Sequence, residues 1–352
     1  MSRQKSSRSP KNARPSKMHW LDRVVAKSSA RRKHFVRGWG DLQLLDRLLD
    51  RGYPEEPEEI GVELSRPRRR RGGHVARRGR FRSPSFMSLP AQAQEAAFEW
   101  WLPDESDIEY PVCLFLAATG EQGFSRRRRL ARPLLAEGIS AVFLENPYYG
   151  ARRPDEQFGT RLQTVVDQFT MVYAAVREAR SLLYWLDRVG YREIGVSGFS
   201  MGGWVAMAAA TGVKLPLAVS AFAVGLSPAP MYTRGALSWT VDWNAIHLGP
   251  NATDGRTHLY TLLDRVVEPS FGALADGSRA IIVGAKDDGF VPAREVEALH
   301  RKVPSARLTW VDGGHVTTIA RRRAVLRDAI RVSFDRDTQE TDLFSTHDIE
   351  NA

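Results

Sequence analysis

The sequence predicts an α/β protein with a mostly parallel central sheet covered by helices on both faces. Three observations carry this. From residue 111 onward, short apolar runs alternate with longer amphipathic stretches. The runs are apolar throughout rather than at every second position, the pattern of strands buried on both faces. One run passes through Gly198-Phe199-Ser200-Met201-Gly202 straight into a helical pattern, with no room for a long loop.

Residues 1–17 are rich in Ser, Arg, Lys and Pro and lack hydrophobic periodicity, so a disordered basic tail is expected. An N-terminal extension follows over 18–73. Residues 18–36 read as an amphipathic helix with Met18, Leu21, Val24 and Val25 near one face, and 41–51 as a Leu-rich helix that Gly52-Tyr53-Pro54 ends. Residues 65–73 read as a basic loop. The main domain is expected over 74–334. It opens with two antiparallel edge strands at 74–81 and 96–102, broken apart at Ser83-Pro84.

The regular alternation then places strands at 111–118, 139–144, 193–196, 217–223, 280–283 and 306–311. Helices are expected at 125–137, 164–188, 200–211, 293–302 and 316–331. Residues 224–276 interrupt the pattern and contain Trp239 and Trp243. A segment inserted between two sheet strands would sit above the strand ends as a cap. Residues 335–352 are polar and read as a loose tail.

The net charge of +10 is unevenly spread. Residues 1–40 carry 12 Lys and Arg against one acid, Asp22, whereas the remaining 312 residues carry 39 basic and 40 acidic residues. The body is close to neutral, which argues against nucleic acid as a partner. Weak peripheral contact with an anionic membrane through the basic N-terminus is the minor expectation. Cys113 is the only cysteine, so neither an intrachain disulfide nor a cysteine metal cluster is possible. No run has the length of a membrane span, and the first 17 residues lack the apolar core of a secretory signal. A cytoplasmic location is expected. An Arg-rich, acid-poor start also resembles mitochondrial transit sequences, the alternative for a eukaryotic source.

Gly198-Phe199-Ser200-Met201-Gly202 is a Gly-x-Ser-x-Gly pattern between strand and helix, where it forms a nucleophile elbow. A serine hydroxyl needs a base to become nucleophilic, and the base needs a carboxylate to orient it. Among His247, His258, His300 and His315, only His315 lies just past a predicted strand, after Gly313-Gly314. The preceding strand leads into Asp287-Asp288-Gly289-Phe290-Val291-Pro292. An Asp-x-x-Val-Pro turn selects Asp288 as the acid, while counting from Gly284 by a Gly-x-x-Asp habit selects Asp287; Asp288 is preferred and Asp287 stays open.

An oxyanion hole needs two N–H donors. Met201 N–H, at the start of a helix, is one candidate. Thr119 and Gly120, in the loop after strand 111–118, are the others. Phe199, Tyr149, Trp239 and Trp243 are candidates for the substrate pocket. Four consecutive arginines, Arg126 to Arg129, read as a mostly solvated helix start. The scheme calls for no cofactor and no metal.

Several stretches together resemble a known family. They are Arg37-Gly38-Trp39-Gly40, Leu130-Ala131-Arg132-Pro133-Leu134-Leu135, Leu144-Glu145-Asn146-Pro147-Tyr148-Tyr149-Gly150, Ala285-Lys286-Asp287-Asp288, Gly313-Gly314-His315 and the elbow itself. The chain is similar to the alpha/beta hydrolase domain-containing protein 18 family over about residues 18–331. The resemblance implies an alpha/beta-hydrolase fold, a serine hydrolase acting on an ester of small-molecule or lipid type, and the acid at the position of Asp288. Glu145 and Tyr149 then stand at the rim of the site, where fixing the turn is their expected role. The competing expectation is a catalytically inactive scaffold that binds a ligand or protein. The oligomeric state is not encoded in any of these features.

Overall fold

The apolar runs Val112–Leu116, Ser140–Leu144, Ile194–Phe199 and Leu217–Phe222 become strands buried at every position, because helices cover both faces of the sheet there. The computed structural model describes residues 18–54, 56–104 and 108–335. The expected tails at 1–17 and beyond 335 lie outside the described residues. In chain order the strands are β1 (Glu63–Leu64), β2 (Arg68–Arg69), β3 (Val75–Arg82), β4 (Glu95–Leu102), β5 (Val112–Leu116), β6 (Ser140–Leu144), β7 (Ile194–Phe199), β8 (Leu217–Phe222), β9 (Arg279–Ala285) and β10 (Ala306–Val311). The helices are α1 (Trp20–Ser29), α2 (Leu42–Arg51), α3 (Ser125–Ala136), α4 (Val165–Val189), α5 (Met201–Ala210), α6 (Ala229–Thr233), α7 (Gly255–Arg265), α8 (Val267–Ser270), α9 (Ala293–Lys302), α10 (His315–Arg321) and α11 (Arg323–Phe334).

The sheet runs β1-β3-β4-β6-β5-β7-β8-β9-β10, with β2 paired to β3. From β6 to β10 all pairings are parallel, while β4 meets both β3 and β6 antiparallel. Leu130, Leu134 and Leu135 of α3 and Leu326, Ala329 and Ile330 of α11 pack one face. The other face is packed by α4, α5 and α9, through residues such as Leu182, Val205 and Leu299. The strand order reverses at β5, between β6 and β7. In open parallel sheets such a reversal leaves a crevice at the carboxyl ends of the strands.

Several expectations are corrected. β4 is not an edge strand: it carries partners on both sides. The basic stretch 65–73 is not only loop, because β2 pairs with β3 there. The helix expected over 316–331 is two helices, α10 and α11, that meet at Arg322. The helix expected over 18–36 shortens to α1, and its buried face is not the apolar one. Asp22 and Ala26 are both fully buried, while Val24 is 54% exposed. Residues 224–276, where the sequence shows no clear strand, hold three helices and short 3-10 turns.

The Glu145–Arg152 turn after β6 is pinned from within. Arg152 is buried, pairs with Glu178 of α4 at 2.6 Å and donates to the carbonyls of Glu145 and Ala93, both at 2.7 Å. Glu145 accepts from Gly123 N–H at 2.7 Å, tying this turn to the loop after β5.

Candidate active site

The elbow follows from packing. β7 ends at Phe199 and α5 starts at Met201, so Ser200 must reverse the chain alone, at φ +56° and ψ −121°. That conformation is costly for a residue with a Cβ. It is over-determined here: Ser200 N–H donates to Phe222 O of β8 at 2.8 Å. A Cβ on Gly198 would lie 2.2 Å from Gly202 O, and one on Gly202 would lie 2.4 Å from Leu116 O. Neither glycine can carry a side chain without moving backbone.

After β9 the chain turns on Asp288. Its Oδ1 accepts from the N–H groups of Phe290 and Val291, both at 2.8 Å, and this pair of bonds is what the Asp-x-x-Val-Pro pattern encodes. Oδ2 is left to face His315 Nδ1 at 2.7 Å. Asp288 is buried, whereas Asp287 contributes only its backbone, accepting from His19 N–H and donating to Gly313 O, each at 3.0 Å. Of the two adjacent carboxylates, Asp288 is the one that meets the histidine.

His315 opens α10 directly after β10. Its ring is held between Phe199 and Phe290, with centroids 4.7 and 5.0 Å away. Burial works against the imidazolium, but the Asp288 and Asp22 carboxylates outweigh it and hold the His315 pKa above its ordinary value. Ser200 and His315 line one cleft, and no hydrogen bond joins the Ser200 hydroxyl to His315 among the described residues. Such bonds are often long when no substrate is bound.

Two cavities meet at Ser200. The inner one is apolar, lined by Leu45 and Leu48 of α2, Phe169 and Val172 of α4, and Met231 and Leu237 of the inserted segment. The outer cleft is wider and more polar than the inner cavity, although apolar surface still forms most of its lining. Arg32, Arg126, Arg129, Arg161 and Arg323 line it beside His315. Arg161 has its pKa lowered by burial and by the neighbouring Arg32 guanidinium. Thr119 touches both cavities; Gly120 touches the outer one. Met201 lines the inner cavity, and its N–H belongs to a helix first turn, where donors have no intrahelical acceptor.

Phe199 lines the outer cleft; Tyr149, Trp239 and Trp243 line neither cavity. Tyr149 is fully buried, its hydroxyl lies against the Gly120 backbone, and burial pushes its pKa up to about 12. Trp243 donates its indole N–H to Ser238 O at 2.9 Å under the Arg256 guanidinium, and Trp239 lies at the surface. His247 bonds the Asn244 carbonyl at 2.7 Å away from the cleft.

The arginine run also divides differently from expectation, because a helix turns each residue by 100°. Arg127 is buried, pairs with Glu121 at 3.1 Å and donates to Phe115 O at 2.8 Å. Arg128 pairs with Glu99. Arg126, Arg127 and Arg129 all line the cleft, and of these Arg127 is tied to Glu121. Asp22 was not legible as a site residue at all. It sits beneath both loops of the site, and only its place on a helix face shared with Ala26 hinted at burial.

The fold, with its elbow and an aspartate–histidine pair at neighbouring strand ends, is that of the α/β-hydrolases. The family described as "Alpha/beta hydrolase domain containing 18" matches residues 32–270 and 269–336. The chain belongs to that family. Among solved structures, it is similar to an acetyl xylan esterase from Paenibacillus sp. R4, with 14% identity, 86% of this chain and 98% of that chain covered, and a TM-score of 0.57. Acetyl xylan esterase 1 from Thermoanaerobacterium sp. JW/SL YS485 is similar at 12% identity, with the same 86% and 98% coverage and a TM-score of 0.50. At these identities the likeness is one of fold. No helix among the described residues is long and apolar enough to cross a membrane.

Proposed function

We propose that the protein is a serine hydrolase that cleaves a carboxylic ester through an acyl-enzyme. Ser200 Oγ attacks the ester carbonyl while His315 Nε2 takes its proton. Asp288 orients the ring and stabilises the imidazolium. Met201 N–H and the Thr119 N–H receive the oxyanion, with Gly120 N–H the alternative second donor. His315 then protonates the departing alkoxide, and water, activated by the same histidine, releases the acid.

The observation that carries this reading is the Asp288–His315 contact at 2.7 Å behind a serine in a strained elbow. The substrate divides as the two cavities do. An apolar acyl chain fits the inner pocket, which supports a lipid-type ester. The alcohol half faces the arginine-lined cleft, which favours a negatively charged group there.

A fluorophosphonate probe and an ester panel test the reading together. The panel pairs one acyl chain with neutral and with phosphate-bearing alcohols. Wild type is expected to be labelled and to turn over the charged esters faster. Ser200→Ala is expected to lose labelling, and kcat is expected to fall by about 10^4-fold or more. An unlabelled wild type that turns over no ester would leave the binding scaffold as the better reading.

A further inference from the structure

Asp22 lies far from the elbow in sequence, yet its carboxylate is fully buried beneath the site. Oδ2 accepts from Gly289 N–H at 2.9 Å and from His315 N–H at 2.8 Å. Oδ1 accepts from Val316 N–H at 2.9 Å. The first donor belongs to the loop that carries Asp288, the other two to the turn that carries His315. One side chain therefore bridges both halves of the acid–histidine couple. Nothing else in α1 explains a buried aspartate: among the described residues no cation pairs with it, and three backbone donors compensate its burial.

The neighbours of this carboxylate are close on every side. A Cβ on Gly314 would lie 2.5 Å from both Asp22 Oδ2 and His19 Cβ, and one on Gly289 would lie 2.3 Å from Met18. His19 N–H also donates to Asp287 O at 3.0 Å. The segment around α1 is thus keyed into two loops whose glycines leave space for it.

We propose that Asp22 is a positioning residue for the Asp288–His315 couple, fixing the separation of the two loops and adding a second negative charge beside the imidazolium formed during reaction. The proposal rests on the reading of His315 as the general base. Of the groups packed around His315, Asp288 from the loop after β9 and Asp22 from α1 act on its charge. His19 packs at Gly314 with its Nδ1 occupied by Leu21 N–H. A base must be neutral to take a proton, so activity rises with pH through the His315 pKa. Losing the Asp22 charge moves that limb to lower pH while weakening stabilisation of the imidazolium.

Asp22→Asn keeps the shape and one acceptor oxygen. It is expected to lower kcat on a short-chain ester by about 100-fold, with KM within about threefold of wild type. The acid limb of kcat/KM and the His315 NMR titration are both expected to shift to lower pH. The NMR titration needs no turnover, so it separates failure of this proposal from failure of the hydrolase reading, which probe labelling of wild type reports. A folded Asp22→Asn with the wild-type titration and kcat would overturn the proposal. Should that variant not fold, hydrogen exchange on wild type decides. Slow exchange at Gly289, His315 and Val316 is expected, and exchange at the rate of an open loop would overturn the clamp.

Discussion

At the scale of the residue, adjacent carboxylates take unequal parts. Asp288 is buried, bonded to two backbone donors and aimed at His315, while Asp287 uses only its backbone. Asp288→Asn is expected to lower kcat by about 10^3- to 10^4-fold, because the amide favours the wrong histidine tautomer. Asp287→Asn is expected to stay within about threefold, since the side chain meets nothing in the site. Steady-state kinetics on one ester separates the two, and equal losses would contradict the assignment. The order Ser200, Asp288, His315 was legible in the sequence because each residue follows an apolar strand. Of the pocket candidates only Phe199 lines a cavity. Tryptophans at 239 and 243 look like pocket lining by composition, but which way a side chain points in an irregular segment depends on contacts that no local pattern records.

Elements explain the pocket better than single residues do. α2 has strong helical periodicity, and the sequence located it well, from its Asp41 cap to Gly52. Its destination was hidden. An amphipathic face reports only that something covers it, and here the cover includes α4 and the edge of the site itself. Leu48→Trp is therefore expected to shorten the acyl pocket from outside the sheet. Its kcat/KM for an acetyl ester should stay within about threefold, while that for a long-chain ester falls by roughly 10-fold or more. A uniform loss across chain lengths would mean that α2 does not bound the acyl site. The same logic explains Arg127. Charge runs are read as solvated, yet one turn of α3 sends this guanidinium into the carbonyl ends of β5 and β6, where only a fork of donors satisfies them.

On the scale of the whole molecule, the N-terminal segment is woven across the rest. His34 pairs with the Val241 region of the insertion, Trp39 Nε1 donates to Leu248 O at 2.7 Å, and Leu162 N–H approaches His34 Nδ1 at 3.4 Å. Burial, and secondarily Arg161, lower the His34 pKa from 6.5 to about 4. The unfolded chain thus binds this proton more readily than the folded one, so stability is lost as pH falls from 6.5 toward 4. Thermal melts across that range should show a falling midpoint, and a shallower fall in His34→Gln; parallel slopes would remove His34 as the cause. The alternation of strands and helices made the sheet legible early, but this lacing was not, since it joins residues that no periodicity connects. The clamp at Asp22 gives the lacing a consequence in time. Its bonds span 267 to 294 residues, so on the proposed mechanism a chain emerging from the ribosome presents Ser200 long before the couple that would activate it. On the proposed mechanism, a translation product truncated before residue 288 would carry Ser200 without the couple that activates it.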